Sequence, residues 1–391
     1  MSILCQQCPK IVSLTINHEL DIEETLGTAF ESDFDFGDGI FELRESFATQ
    51  DLSPFSNLRE LRLGRIHGDL SHIRDDIVKV LLKSPNIRTL SLSLNPRTMF
   101  RLHQENTLQA GASYLDFFPN LIDSYVAGNG KPLQLRTLEL GLGVILWEEE
   151  SEDPASYLAD LTELELLEEV YMCNKGVETA LIFMEPDMIA WNTFIPEVCP
   201  KLSIVGFYGL TSSAEAWFQM LEPGYLSQIE IQQVWDYDLP DFNTLLERQG
   251  ADSGSGLTKL TIFDASYSIN ISEPPRLFNL EALSLGLRAI TMEQKPKFLS
   301  WVRDFKCLKQ LRICYVDPRP NCPIANDYET LGREIAHANE GLEYLGLEDY
   351  YWRIWHRGED NGDCYLERLD RFESREVTAF KTERKFYPDI M

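Results

Sequence analysis

Apolar residues recur along this chain in a fixed triplet: two positions that lie two apart, preceded by a third that lies three residues earlier. The segment Leu280-Glu281-Ala282-Leu283-Ser284-Leu285 shows the pattern without interruption. The same spacing returns as Leu58/Leu61/Leu63, Ile87/Leu90/Leu92, Leu135/Leu138/Leu140, Leu202/Val205/Phe207 and Leu226/Ile229/Ile231. It returns again as Leu257/Leu260/Ile262, Leu308/Leu311/Ile313 and Leu342/Leu345/Leu347, with weaker copies at Ile11/Leu14/Ile16 and Leu167/Val170/Met172. Side chains two apart point to one face of an extended chain, so each triplet predicts a short strand with one buried face. Recurrence at intervals of roughly twenty to fifty residues predicts a solenoid, in which each unit buries its apolar face against its neighbours.

Helical spacing lies between the triplets. Leu70 to Leu82 carries Ile73, Ile77, Val80 and Leu81 on one stripe,. Further helices are predicted over Ala110 to Phe118, Tyr157 to Leu167, Ala214 to Leu221 and Phe298 to Phe305, and Trp191, Phe194 and Ile195 read as core-facing on another. A proline punctuates the return to the next strand in Cys8-Pro9-Lys10, Ser84-Pro85-Asn86, Phe118-Pro119-Asn120 and Cys199-Pro200-Lys201, because proline cannot continue a helix,. On that punctuation a degenerate strand is predicted near Leu121. The repeats run from about residue 8 to about residue 347 without a linker, so 1–391 reads as a single elongated domain,. Beyond Leu347 the pattern stops. Tyr350 to His356 and a charge-mixed helix to about Phe386 are expected to cap the C-terminal end over about 348–391, while no N-terminal cap is legible ahead of Ile11,.

Hydrophobic residues make up 44% of the chain, enough for a continuous core, and the formal net charge is −28 with a sequence pI near 4.6,. That charge opposes phosphate backbones and anionic membranes, so neither nucleic acid nor membrane is expected as a partner. No apolar run is long enough to span a bilayer and no positively charged leader is visible,. The eight cysteines are irregularly spaced, which in a chain of 391 residues implies reduced thiols and a cytoplasmic or nuclear location,.

Chemistry is hard to find in the motifs. Cys5-x-x-Cys8 has no second pair, and the six histidines are scattered with no His-Glu-x-x-His,. Glu31 to Gly39 resembles a calcium loop at first sight but places Gly37 and Asp38 where a ligand and the glycine are required,. Gly141-Leu142-Gly143 lacks a third glycine, and Ala251 to Gly256 lacks the Lys-Ser/Thr of a phosphate loop,. The chain therefore reads as no enzyme, with no catalytic, cofactor-binding or metal-ligating residues and no cofactor. Trp147 to Asp153 reads as an exposed acidic loop.

What the repeats do offer is a surface. The residue between the two strand leucines points away from the core, which selects Arg62, Ser91, Glu139, Tyr171, Gly206, Glu230, Thr261, Ser284, Arg312 and Gly346,. The next outward position adds Tyr208, Phe263 and Cys314. Aromatic residues beside arginine are the types that dominate protein interfaces, so Arg62, Glu139, Tyr171, Tyr208, Glu230, Phe263 and Arg312 are the candidate partner-binding residues,.

The unit L-x-x-L-x-L, then a helix, then Cys-Pro-Lys-Leu, together with Phe305-Lys306-Cys307-Leu308-Lys309-Gln310-Leu311-Arg312-Ile313, resembles the leucine-rich repeats of F-box proteins, most closely the fungal members. The resemblance covers residues 8 to 347. It implies a right-handed α/β horseshoe of about eleven irregular repeats, with a parallel sheet on the concave face and helices on the convex face. It further implies a substrate receptor for ubiquitination, whose adaptor docks on an F-box; no F-box is legible here, so that contact would need an upstream segment. The acidic balance supplies the alternative, a stand-alone scaffold or inhibitor that binds a basic protein.

Overall fold

The computed structural model describes residues 12–17, 52, 55–66, 69–94, 116–141, 143, 144, 146, 154–172, 191–209, 212–233, 242–250, 256–263, 277–287, 294–315, 328–356, 364–374, 377 and 379. These fall in two compact units, the first within Met1–Leu167 and the second formed by Glu168–Met172 and Trp191–Arg384. The fold is α/β with mostly parallel strands. The last two apolar residues of every triplet lie in a strand, as the two-residue period requires,.

In the first unit β1 (Ser13–Asn17), β2 (Glu60–Ile66), β3 (Thr89–Leu94) and β4 (Thr137–Leu140) pair in parallel and in chain order. Leu14, Leu61, Leu90 and Leu138 stand opposite one another, as do Ile16, Leu63, Leu92 and Leu140. Leucine therefore stacks on leucine across the strands, which closes the apolar layer. Helix α1 (Leu70–Lys83) follows β2, and its first turn is held by the Asp69 carboxylate, which accepts from the N–H groups of Ser71 at 3.0 Å and His72 at 3.2 Å,. Ile73, Ile77, Val80 and Leu81 are buried, the stripe that the helical period predicts,.

Helix α2 (Phe117–Ala127) corrects the expectation at Phe118-Pro119-Asn120. Pro119 sits in the first turn, where its missing N–H has no intrahelical acceptor in any case, so it opens this helix rather than closing one. Leu121, expected in a degenerate strand, is buried on that helix. Helix α3 (Pro154–Leu161) ends earlier than expected and is followed by a 3₁₀ turn at Leu164–Leu166.

In the second unit β5 (Glu169–Met172), β6 (Ile204–Gly209), β7 (Gln228–Gln233), β8 (Lys259–Ile262), β9 (Ala282–Leu287), β10 (Gln310–Tyr315) and β11 (Tyr344–Leu347) continue in parallel, each beside the next. Helices α4 (Ser212–Met220), α5 (Phe242–Gly250), α6 (Lys295–Asp304) and α7 (Tyr328–Ala338) lie between strands. The helix expected around Trp191 is a 3₁₀ turn, Trp191–Phe194, that buries both rings. Trp191 packs on Phe207 at 4.5 Å and on Trp217 at 5.2 Å between ring centroids, and Phe218 completes an aromatic core.

The C-terminal expectation is corrected as well. In place of a helix to about Phe386, β12 (Tyr350–His356) and β13 (Cys364–Arg368) form an antiparallel pair on β11, followed by the single-turn helix α8 (Arg371–Ser374). Trp352 and Ile354 are buried two residues apart, a strand period, and pairing satisfies the edge of β11 that a helix would leave open,. The predicted loops at 31–39 and 147–153 and the helix over 110–115 lie outside the described residues.

A backbone pattern explains why the triplets stack. The carbonyl after the first triplet position accepts two N–H groups from the following unit: Arg59 O from Arg88 at 2.7 Å and Thr89 at 3.2 Å, Thr258 O from Glu281 at 2.8 Å and Ala282 at 3.0 Å. Val12, Arg88, Glu168, Ser203, Ser227, Glu281 and Lys309 repeat it. Buried polar side chains fasten the layer behind. Ser84 Oγ accepts from Leu58 N, Thr162 Oγ1 from Leu135 N and Gln249 Oε1 from Leu226 N, while Asn339 Nδ2 donates to Val302 O and Phe305 O. Each satisfies groups in the turn before a strand that would otherwise be buried without a partner.

Candidate functional site: the outer row of the strands

Strand alternation that buries the leucines turns the intervening residues to the opposite face. In the first unit the row is Arg62, Ser91 and Glu139, in register on β2, β3 and β4. Arg62 Nη1 donates to both Glu139 carboxylate oxygens, at 2.6 and 2.7 Å, reaching two strands across because Ser91 between them is small. Glu139 is 3% exposed at its side chain and Arg62 28%, so the carboxylate lies beneath and the guanidinium covers it. An ion pair placed this way holds the row together and leaves one side of the guanidinium accessible,.

In the second unit the row runs Tyr171, Gly206, Glu230, Thr261, Ser284, Arg312 and Gly346. Tyr171, expected as an exposed aromatic, is 1% exposed. Its ring lies over the neighbouring glycine: a Cβ added at Gly206 would meet Tyr171 Cδ1 at 2.1 Å. Glycine at this register position is thus what lets the ring fold onto the sheet. Glu230 and Arg312 are buried too, while Phe263, one residue past β8, is half-buried and donates its N–H to Ile231 O at 2.9 Å. Tyr208 belongs to β6, and its side chain lies outside the described residues.

Arg312 has a neighbour that strand counting missed. Its guanidinium carbon stands 5.8 Å from the Tyr351 ring centroid, with Gly346 between them in register. Tyr351 is on β12, whose antiparallel return has no leucine triplet to announce it; the alternation of Trp352 and Ile354 was the available signal. Burial pushes the Tyr351 hydroxyl up, and the nearby Arg312 cation works against that,. Burial likewise pushes the Cys314 thiol up, again opposed by Arg312 through charge and a hydrogen bond.

Two exposed aromatic residues of the second unit lie on the terminal strand pair. Trp355 is 51% and Tyr365 57% exposed, and they face each other across β12 and β13. The Arg353 guanidinium lies 5.8 Å from the Trp355 ring, and Trp355 Nε1 donates to Glu367 at 2.8 Å. Neither residue was among the sequence candidates, since both follow the last triplet.

Among the described residues, no three His, Cys, Asp or Glu side chains converge as metal ligands. No helix of the described residues is long and apolar enough to cross a membrane. Compared with known proteins, the chain matches no protein-family model and no curated protein.

Proposed function

We propose that this chain is a leucine-rich-repeat solenoid of about eleven units, strands lining its concave face and helices its convex face, that acts as a non-catalytic protein-binding module. The observation that carries the reading is the register itself: successive triplets lie side by side, which aligns the residues between their apolar positions in one row on the opposite face of the strands. Parallel rows of this kind give repeat proteins an extended contact surface rather than a catalytic cleft. The resemblance to F-box proteins extends the proposal to substrate recognition in a ubiquitin ligase. Arg62 and Phe263 would offer the accessible part of the row; Tyr171, Glu139 and Glu230 would shape it from beneath. The cytoplasm or nucleus would be the setting.

The test is affinity purification of the natural gene product from its source cell. Recovery of the ligase adaptor and cullin is the expected result, and an Arg62→Ala/Phe263→Ala variant should keep both but lose the substrate. The second reading, an acidic scaffold, is favoured by the net charge of −28. It predicts one basic protein in place of the ligase, with capture that falls steeply as salt rises.

A further inference from the structure

On β13, Cys364 sits at the meeting point of two histidines. Its Sγ is 3.8 Å from Nε2 of His337, in the last turn of α7, and 4.0 Å from Arg333 O on the same helix. Its cross-strand partner on β12 is His356, placed directly opposite by the register. Cys364 faces α7, as Leu366 does two residues on, whose Cδ1 lies 3.1 Å from a Cβ position built on Gly332. The thiol is partly exposed at the sheet's end strand, and His337 is exposed.

Among the described residues, the charged and titratable groups on that side are His337 and Arg333 of α7, His356 of β12 and Arg368 of β13. The carboxylates of α7 are paired with cations, Glu329 with Arg333 at 2.6 Å and Glu334 with Lys295 of α6. Glu367 lies on the other face, against Trp355 and Arg353. His356 Nε2 contacts Leu342 O at 3.1 Å; a carbonyl only accepts, so that nitrogen carries a proton and is no base for the thiol,. The imidazole nitrogen in contact with the sulfur is Nε2 of His337.

The geometry points to Cys364 as an imidazole-activated thiol, a covalent modification site for α,β-unsaturated carbonyl compounds. The thiol has two arrangements within reach: as S–H it donates to Arg333 O, and after proton transfer the sulfur accepts from His337 Nε2–H. In the reaction, His337 Nε2 takes the thiol proton and the sulfur attacks the β-carbon. The carbon–carbon π bond breaks, and the resulting enolate takes a proton at its α-carbon from the imidazolium. Atoms and charge balance with no leaving group and no oxidant. The other described cysteines provide the contrast: burial pushes the Cys199 thiol up to about 12 and pushes the Cys314 thiol up as well, whereas Cys307 is exposed.

The test uses N-ethylmaleimide on the full chain at pH 6.5, with peptide mapping of each cysteine over time. Cys364 is expected to react roughly fivefold faster than Cys307, the gain in thiolate fraction being partly offset by lower intrinsic nucleophilicity. His337→Gln should bring the two rates together, while His356→Gln should leave the Cys364 rate unchanged. A Cys364 rate no higher than that of Cys307 overturns the proposal, as does a rate indifferent to His337→Gln. Wild-type protein alone also decides the matter, since between pH 6 and 8 the Cys364 rate should rise less steeply than the Cys307 rate; equal slopes would sink it.

Discussion

Arg62 of the first unit and Tyr171 of the second occupy the same position in their triplets, yet they are held in opposite ways. Arg62 spans Ser91 to grip a carboxylate on β4, whereas Tyr171 lies flat over Gly206 and is shut away from water. The layers behind them differ in the same sense. Behind β2, helix α1 contributes the aliphatic side chains of Ile73, Ile77, Val80 and Leu81, whereas around β6 the rings of Trp191, Phe194, Phe207, Trp217 and Phe218 pack together. One backbone frame thus accepts two chemistries, provided a small residue stands next to a large one across the row.

The strongest way to break the comparison is in the aromatic layer. Trp217→Ala should destabilise the second unit by about 3–5 kcal/mol, a cavity effect. The Nε1 bond to Phe194 O at 3.1 Å is lost with it. Denaturant unfolding should register the loss, and hydrogen exchange should confine it to the second unit; equal loss of protection in β1 to β3 would refute the separation.

Next in size is the glycine under Tyr171. Gly206→Ala should cost about 1–3 kcal/mol by overpacking. Combined with Tyr171→Ala, the same change should cost far less, because the ring it collides with is gone. A double-mutant cycle with no coupling would mean the ring moves freely and does not depend on the glycine.

For the charged row, Arg62→Met should destabilise the first unit by about 1–2 kcal/mol, since the buried Glu139 carboxylate loses its bidentate donor. Glu139→Gln should cost less, as Arg62 still reaches solvent. The melting temperature of each variant against wild type measures both, and the reverse order would show that the arginine rather than the carboxylate needs its partner.

The smallest effect is a pH slope in the second unit. Burial raises Cys199 from 9.0 to about 12, and raises Tyr225, whose hydroxyl donates to Cys199 O at 2.5 Å, from 10.0 to about 12. A folded-state value above the unfolded one means the unfolded chain releases its proton first. The stabilisation is therefore whole below pH 9 and is lost as pH rises from there through about 12,. Tyr225→Phe should flatten part of that decline in thermal melts at pH 8 to 11, and an unchanged slope would assign the decline elsewhere.

Much of this architecture is local in origin. Leucines spaced three and two apart determine where each strand starts and which way its side chains turn, and they do so from β1 to β11,. The stripe Ile73, Ile77, Val80 and Leu81 likewise determines the buried face of α1,. Position in the triplet also tells which residues leave the core. It does not tell what then covers them, because that depends on residues one or two strands away. Tyr171 is buried by the absence of a side chain at Gly206, and Arg62 finds Glu139 only because Ser91 is short. Pro119 reads as a stop from its neighbours in sequence, but the packing of α2 makes it a start. Tertiary structure alone decided the strand pair at the C-terminal end, since an edge that needs a hydrogen-bonding partner recruits whatever segment can be extended beside it,. It also placed Cys364 against His337, 27 residues apart in the chain and on different elements, where no period along the sequence could connect them.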